Sequence, residues 1–303
     1  MADLFYWVLN MSILGGVLGV GVLLLRRIPR LPRWVCYGLW AIVGLRLWLP
    51  VGLRWKWSLM NLLDGWLVKT VPVPMTADLK SNLAVLNSVR AVDAYFPLAF
   101  RTNRLEAAFT LAGWVWAVIG VAGTFVLGFC YWRATQRVRP LEHLRDNLYR
   151  WGKAESPMVL GIVRPKILLP EKSDEFDNPY VLRHEQVHIR RLDNLWRLMA
   201  LLSCCLHWFN PWIWVFLKAF LEDMELSCDE KVLKTLGTDK KKEYALALVR
   251  CRESRTVYAA FGGAGIRTRV KRILDYKQLT AASGVALMLF LLLCAVTLLT
   301  NGG

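Results

Sequence analysis

Two histidines and a glutamate carry the chemistry of this sequence. His184-Glu185-Gln186-Val187-His188 places His184 and His188 four residues apart. On a helix, residues at i and i+4 share a face one turn apart, so both imidazoles can aim a ring nitrogen at one zinc ion. Glu185 then stands beside the metal. Its carboxylate can take a proton from an activated water and return it to a leaving amine. This is the working arrangement of a zinc metallopeptidase. Composition alone would produce such a pattern in this chain roughly two times in a thousand, so it is read as a site.

A catalytic zinc needs a third protein ligand and an open position. The sequence offers an acidic cluster, Glu222-Asp223-Met224-Glu225-Leu226-Ser227-Cys228-Asp229-Glu230, in an otherwise basic region. Without the histidines upstream it would read as a solvated helix face. Periodicity does not choose among its members. Glu225 and Asp229, four apart, share a face, and one could ligate zinc while the other orients a ligand histidine. His207, beside Trp208, reads as structural, and His143 as part of a polar linker. No residue is singled out by spacing to stabilise the tetrahedral intermediate.

The elements that must position these groups belong to a membrane protein. Apolar residues make up 55% of 303, charged residues 20%, and there are 15 tryptophans, a balance foreign to an ordinary soluble domain. The net charge of +16 suits segments held against anionic lipid. No nucleic-acid module is recognisable, so direct nucleic-acid binding is not expected. None of the seven cysteines forms a C-x-x-C pair, and reduced thiols are expected.

Four stretches have the length and character to cross a bilayer: about 4–25, 34–51, 107–132 and 281–299. The first lacks basic residues before it and is not a typical cleaved signal peptide. The connection Arg26–Arg33 is short and basic, which places it in the cytoplasm. The N-terminus and the loop 52–106 are then outside, residues 133–280 inside and the C-terminus outside. Arg46, in the second span, is expected to snorkel to the outer interface. Trp55 to Trp66 has the spacing of an interfacial amphipathic helix.

Within the inward segment, Val138 to Trp151 reads as a polar helix or linker. Met158 to Leu169 reads as one or two strands broken at Arg164-Pro165, and Glu171 to Asp177 as a turn. Asn178-Pro179 opens the metal helix, which is expected to continue past Asp193. Leu195 to Phe220 is apolar enough to be mistaken for a fifth span. If it crossed the bilayer, His188 and Glu225 would lie on opposite sides. The break at Phe209-Asn210-Pro211 makes it two helical pieces, buried in protein or dipping into the interface.

Three motifs in order, His184-Glu185-Gln186-Val187-His188, His207-Trp208-Phe209-Asn210-Pro211 and Glu225-Leu226-Ser227-Cys228-Asp229-Glu230, resemble the peptidase of the BlaR/MecR-type sensor-transducers. The resemblance covers nearly the whole chain. It implies a mainly α integral membrane protein: spans within 1–132, a cytoplasmic gluzincin-like α+β protease domain at 133–280, and a last span at 281–303. It assigns the zinc ligands to His184, His188 and Glu225 and the catalytic carboxylate to Glu185. Asp229 and Asp193 are the expected partners holding ligands in place. Gly161 to Ile167 matches the strand region ahead of the metal helix, where an edge strand could align substrate backbone.

The resemblance further implies a bacterial plasma-membrane endopeptidase acting on a cytoplasmic BlaI/MecI-like transcriptional repressor and on itself, in antibiotic-response signalling. A homodimer is compatible with it. The flexible basic stretch Arg255–Arg269 is either the self-cleavage region or a plain surface loop. The family's penicillin-binding domain has no counterpart before the chain stops at Gly303, so direct β-lactam sensing is not expected. Two other readings compete: a zinc-containing signalling scaffold without catalysis, and a housekeeping membrane protease. Glu185 argues against the scaffold, since a structural zinc site normally has four protein ligands and needs no adjacent base.

Overall fold

The computed structural model describes residues 1–28, 31–49, 103–138, 141–152, 154, 157–170, 178–253, 264–277 and 281–299. The expected amphipathic helix at Trp55–Trp66 and the turn at Glu171–Asp177 lie outside the described residues. The described residues are mostly helical, with one small sheet.

Among the described residues, three apolar helices come first: α1 (Ala2–Leu25), α2 (Arg33–Trp48) and α3 (Asn103–Arg137). Two stretches, Trp7–Leu25 and Ala107–Arg137, are long and apolar enough to cross a membrane. The two other expected spans are also helical. However, α2 has 16 residues, and the apolar stretch Val285–Cys294 within the C-terminal helix is shorter still. On α3, Leu111, Val118, Val121 and Phe125 face away from the protein, Phe125 at 76% exposure. A continuous apolar face of that kind is tolerable in lipid and costly in water.

Residues expected as a polar helix or linker form a hairpin instead. Strands β1 (Glu142–Arg145) and β2 (Leu148–Arg150) are joined through Asp146, which has φ +45°. The decisive contact is distant in sequence: Leu148 packs with Ile167 and Leu169 in a small core. Strands β3 (Met158–Leu160) and β4 (Lys166–Leu169) appear where two strands were expected. The sheet order is β1-β2-β4-β3, with β2 and β4 parallel and β3 at an edge. Gly161 turns the chain between β3 and β4 at φ +99°, and a Cβ there would lie 2.9 Å from the Arg164 carbonyl oxygen.

Helix α4 (Pro179–Arg190) starts on Asn178, whose side chain accepts from the Tyr180 N–H at 3.0 Å, with proline in the first turn. It ends before Asp193 rather than running past it. Leu192 takes a left-handed conformation, φ +56°, and Asp193 begins a new helix, α5 (Asp193–Leu206). Helix α6 (Pro211–Leu236) follows with Asn210 as its cap. Arg191 reaches Ser227 and Cys204 lies against Ile213, so α6 returns antiparallel along α5. The apolar run thus goes out and back, and α6 brings its acidic cluster to α4. Helices α7 (Lys241–Glu253), α8 (Ile266–Leu274) and α9 (Ala281–Leu299) complete the described chain.

One core joins the first two helices to the helix bearing the acidic cluster: Leu18 and Val22 of α1, Val35, Leu39 and Val43 of α2, and Phe216, Phe220 and Met224 of α6. Gly19 permits the approach, since a Cβ there would stand 2.3 Å from the Phe216 ring. Below this core, Arg26 and Arg33 converge on the fully buried Asp223, at 2.7 and 3.2 Å, and Trp40 Nε1 donates to it at 2.8 Å. The Glu230 carboxylate accepts the backbone N–H groups of Arg33 and Trp34, capping α2 from outside. The basic connection is therefore fastened to α6.

Arg46 departs from the expected snorkelling. It is 1% exposed, enclosed where α2 packs against its neighbouring helices. All seven cysteines are free thiols.

Candidate metal centre

The buried face of α4 carries Val181, His184, Val187 and His188. The two valines pack inward and draw both imidazoles with them. His184 Nε2 and His188 Nε2 lie 3.0 Å apart. Glu225 of α6 completes a triangle, its Oε2 3.5 Å from His184 Nε2 and 3.8 Å from His188 Nε2. Ligands about 2.0–2.1 Å from a tetrahedral zinc stand about 3.3–3.4 Å from each other. The three edges bracket that value.

The outward ring nitrogens are held by other groups. His188 Nδ1 is 2.6 Å from Asp193 Oδ2, a contact made possible by the break at Leu192. His184 Nδ1 lies 2.9 Å from the Tyr244 hydroxyl, which donates to Asp229 Oδ1 at 2.6 Å. In each case the proton belongs on Nδ1, and the Nε2 lone pair is left to point at the triangle. Asp229 is itself clasped by Arg269, with Nε to Oδ2 at 2.8 Å and Nη2 to Oδ1 at 2.7 Å. Arg269 Nη1 also lies 3.3 Å from Glu225 Oε2.

Cys228 is one turn beyond Glu225. Its sulfur lies 3.4 Å from His184 Nδ1, and with the two histidines it forms a group close enough to hold a metal ion. It sits on the Nδ1 side of His184, whereas Glu225 faces both Nε2 atoms.

Burial alone would strip protons from the two histidines. The charge of Cys228, joined for His188 by Glu225 and Asp193, outweighs it and raises His188 to about 10; Cys228, Tyr244 and Asp229 likewise raise His184. Burial also opposes ionisation of Glu225, but the two rings and Arg269 hold it well below the usual carboxylate range. Asp229 falls to about 2 against its burial, chiefly through Arg269. With their Nε2 atoms 3.0 Å apart, two protonated rings would repel one another, whereas a single dication could be shared between them. The donor set fits a metal ion.

Glu185, half-buried, lines the same cavity of about 120 Å³ with His184, His188, Glu225, Arg197 and Arg269. Met158 and Val159 of the edge strand form another wall. Asn194 ties that strand down, donating to the carbonyls of Val159 and Gly161 at 3.3 and 2.9 Å.

The structure gathers His184, Glu185, His188 and Glu225 around one cavity, with Asp193 and Asp229 behind it on the Nδ1 side of the two histidines. It leaves His207 elsewhere, its Nε2 3.1 Å from the Leu47 carbonyl oxygen, and His143 on β1. Sequence reasoning missed Tyr244, Cys228 and Arg269 as neighbours of the histidines. Arg269 was expected in a flexible basic stretch, yet helix α8 begins at Ile266 and buries its side chain to 7% exposure. Residues 254–263 of that stretch lie outside the described ones. The only available signal was the Ile266-x-x-Arg269-Val270-x-x-Ile273 spacing, which places Arg269 on the apolar face of a short helix.

A helix bearing two histidines and a glutamate, a facing acidic helix, a small sheet and long apolar helices are the features of a membrane metallopeptidase. Residues 6–273 match the family model described as BlaR1 peptidase M56, and the chain belongs to that family. It is 39% identical over 102 residues to the regulatory protein BlaR1 of Bacillus licheniformis, covering 33% of this chain and 17% of that protein. It is 25% identical over 157 residues to the methicillin resistance mecR1 protein of Staphylococcus aureus, covering 48% of this chain and 27% of the relative. The matched stretches thus span less than a third of these relatives' own length.

Proposed function

We propose that this chain is a zinc-dependent endopeptidase of the bacterial plasma membrane that cleaves a cytoplasmic regulatory protein during signal transduction. His184, His188 and Glu225 hold the metal, and Glu185 is the catalytic carboxylate. The supporting observation is the His184–His188–Glu225 triangle, with edges of 3.0, 3.5 and 3.8 Å, opening on the cavity that Glu185 lines. When bound, zinc supplies a Lewis acid for the scissile carbonyl and for water. Glu185 accepts the proton of the attacking water and passes it to the leaving nitrogen. Asp193, and Asp229 through Tyr244, keep the imidazoles in the tautomer a metal requires.

Backbone groups on the outer edge of β3 align the substrate as an added strand. The substrate class we favour is a BlaI/MecI-like repressor, on the strength of the relatives' names and of the family. The chain itself is a second candidate substrate. A cytoplasmic site is supported by the positive-inside reading of the basic connection, whose Arg26 and Arg33 pair with acidic residues of α6.

Glu185→Ala should retain zinc and lose proteolysis, whereas His188→Ala should lose zinc. Comparison of new protein N-termini in cells carrying wild type or Glu185→Ala identifies the substrate. Equal processing of every candidate in the two strains would refute the enzymatic reading.

A further inference from the structure

Asp193 is not held by its own neighbourhood alone. Its Oδ2 faces His188 Nδ1, and its Oδ1 accepts from Arg191 Nε at 3.2 Å and from the Tyr37 hydroxyl at 2.8 Å. Tyr37 lies 156 residues earlier in the sequence, on α2. Its ring is fixed on both sides. It stacks on Phe220 of α6, centroids 5.7 Å apart and planes 15° apart, and the Arg191 guanidinium lies 4.3 Å from its centroid. The hydroxyl thus has little freedom, and Asp193, 1% exposed, has no water to replace it.

We propose that Tyr37 is a positioning residue of the metal centre, supplied by an apolar helix of the membrane region. It acts through Asp193 on His188, so tight metal binding requires α2 to be docked against α5 and α6. A carboxylate that orients a ligand histidine holds it more firmly when its own second oxygen is also hydrogen-bonded. Here one of the two donors on that oxygen is Arg191, close in sequence, and the shorter contact comes from Tyr37 on α2. The peptidase cleft and the membrane helices would then form one cooperative unit, and displacing α2 would loosen the grip on the metal without touching a ligand. The inference rests on the zinc reading above.

Tyr37→Phe keeps the ring, its stacking and the cation–π contact, and removes one hydroxyl. In the full chain in detergent, zinc affinity measured by competition with a chromophoric chelator should fall about tenfold, the lower end of the range for partners of metal ligands. The visible absorption of the Co2+-substituted protein should shift, because the orientation of His188 changes. Asp193→Asn should weaken binding further, and adding Tyr37→Phe to it should change nothing more. Trp40→Phe serves as the control on the same helix. It removes the Asp223 hydrogen bond, away from the metal, and should leave affinity and spectrum as in wild type.

Wild-type affinity and spectrum in Tyr37→Phe would overturn the proposal. So would equal losses in Tyr37→Phe and Trp40→Phe, which would show that only general docking matters. A wild-type chain that takes up no zinc would instead overturn the underlying assignment of the site.

Discussion

At the scale of residues, the choice of third ligand turns on which edge of an imidazole a neighbour faces. Glu225 and Cys228 are three apart on α6, and both reach the histidines. Glu225 faces the two Nε2 atoms, while Cys228 faces His184 Nδ1, which already lies against Tyr244. One nitrogen cannot both take a proton-mediated contact and bind a metal. Cys228→Ser should therefore leave one zinc per chain, and Glu225→Ala should abolish it, as read by metal analysis of detergent-purified protein. The reverse outcome would make Cys228 the ligand. Helical spacing alone leaves Glu225, Cys228 and Asp229 on neighbouring positions of one face. The distances that separate their roles come from the contact with α4 and α7.

At the scale of elements, the site depends on close helix packing. Gly19 lets α1 approach α6 so nearly that any side chain would overlap the Phe216 ring. Gly19→Val should destabilise the fold by about 1–3 kcal/mol, as overpacking of a dense core does. The check is a lowered thermal midpoint in detergent, with Gly21→Val, which meets nothing within 4 Å, as the reference. The helix-bearing segments were largely legible: apolar length marked α1 and α3, and Asn-Pro marked the starts of α4 and α6. The β1–β2 hairpin was not. Strands of four and three residues carry too little alternation to compete with a polar composition, and Leu148 gains its burial only from Ile167 and Leu169 across the sheet. The break at Leu192 was equally hidden. It has no glycine or proline, and its reason is the contact between Asp193 and His188.

At the scale of the whole molecule, α3 presents an apolar flank that no described part of the protein covers, with Phe125 near its centre. Phe125→Lys should impede membrane insertion, at a cost of about 2.5–3.5 kcal/mol for lysine at mid-membrane. Carbonate extraction of the variant and of wild type measures this, and equal retention would show that Phe125 does not meet lipid. The same scale explains Asp223. Arg26, just after α1, and Arg33 and Trp40 of α2 meet at its buried carboxylate, so the first helices are fastened to α6. Charge counting assigned those arginines to a membrane surface; their ion pairs with α6 follow from the packing.

The sequence by itself determined that the protein is membrane-embedded and metal-dependent. Both signals are local: long apolar runs are read directly from the residues, and His184, Glu185 and His188 are set in register by one helical turn. It also required Leu195–Phe220 to turn back, because one ion cannot be shared across a bilayer. Only the tertiary structure decided which acidic residue faces the Nε2 atoms, that Arg269 holds Asp229, and that Tyr37 completes the support of His188. Arg269 and Asp229 are 40 positions apart and Tyr37 and Asp193 are 156 apart. At such separations a side chain's partner is set by how helices pack and which groups they desolvate, and residue spacing carries no record of it.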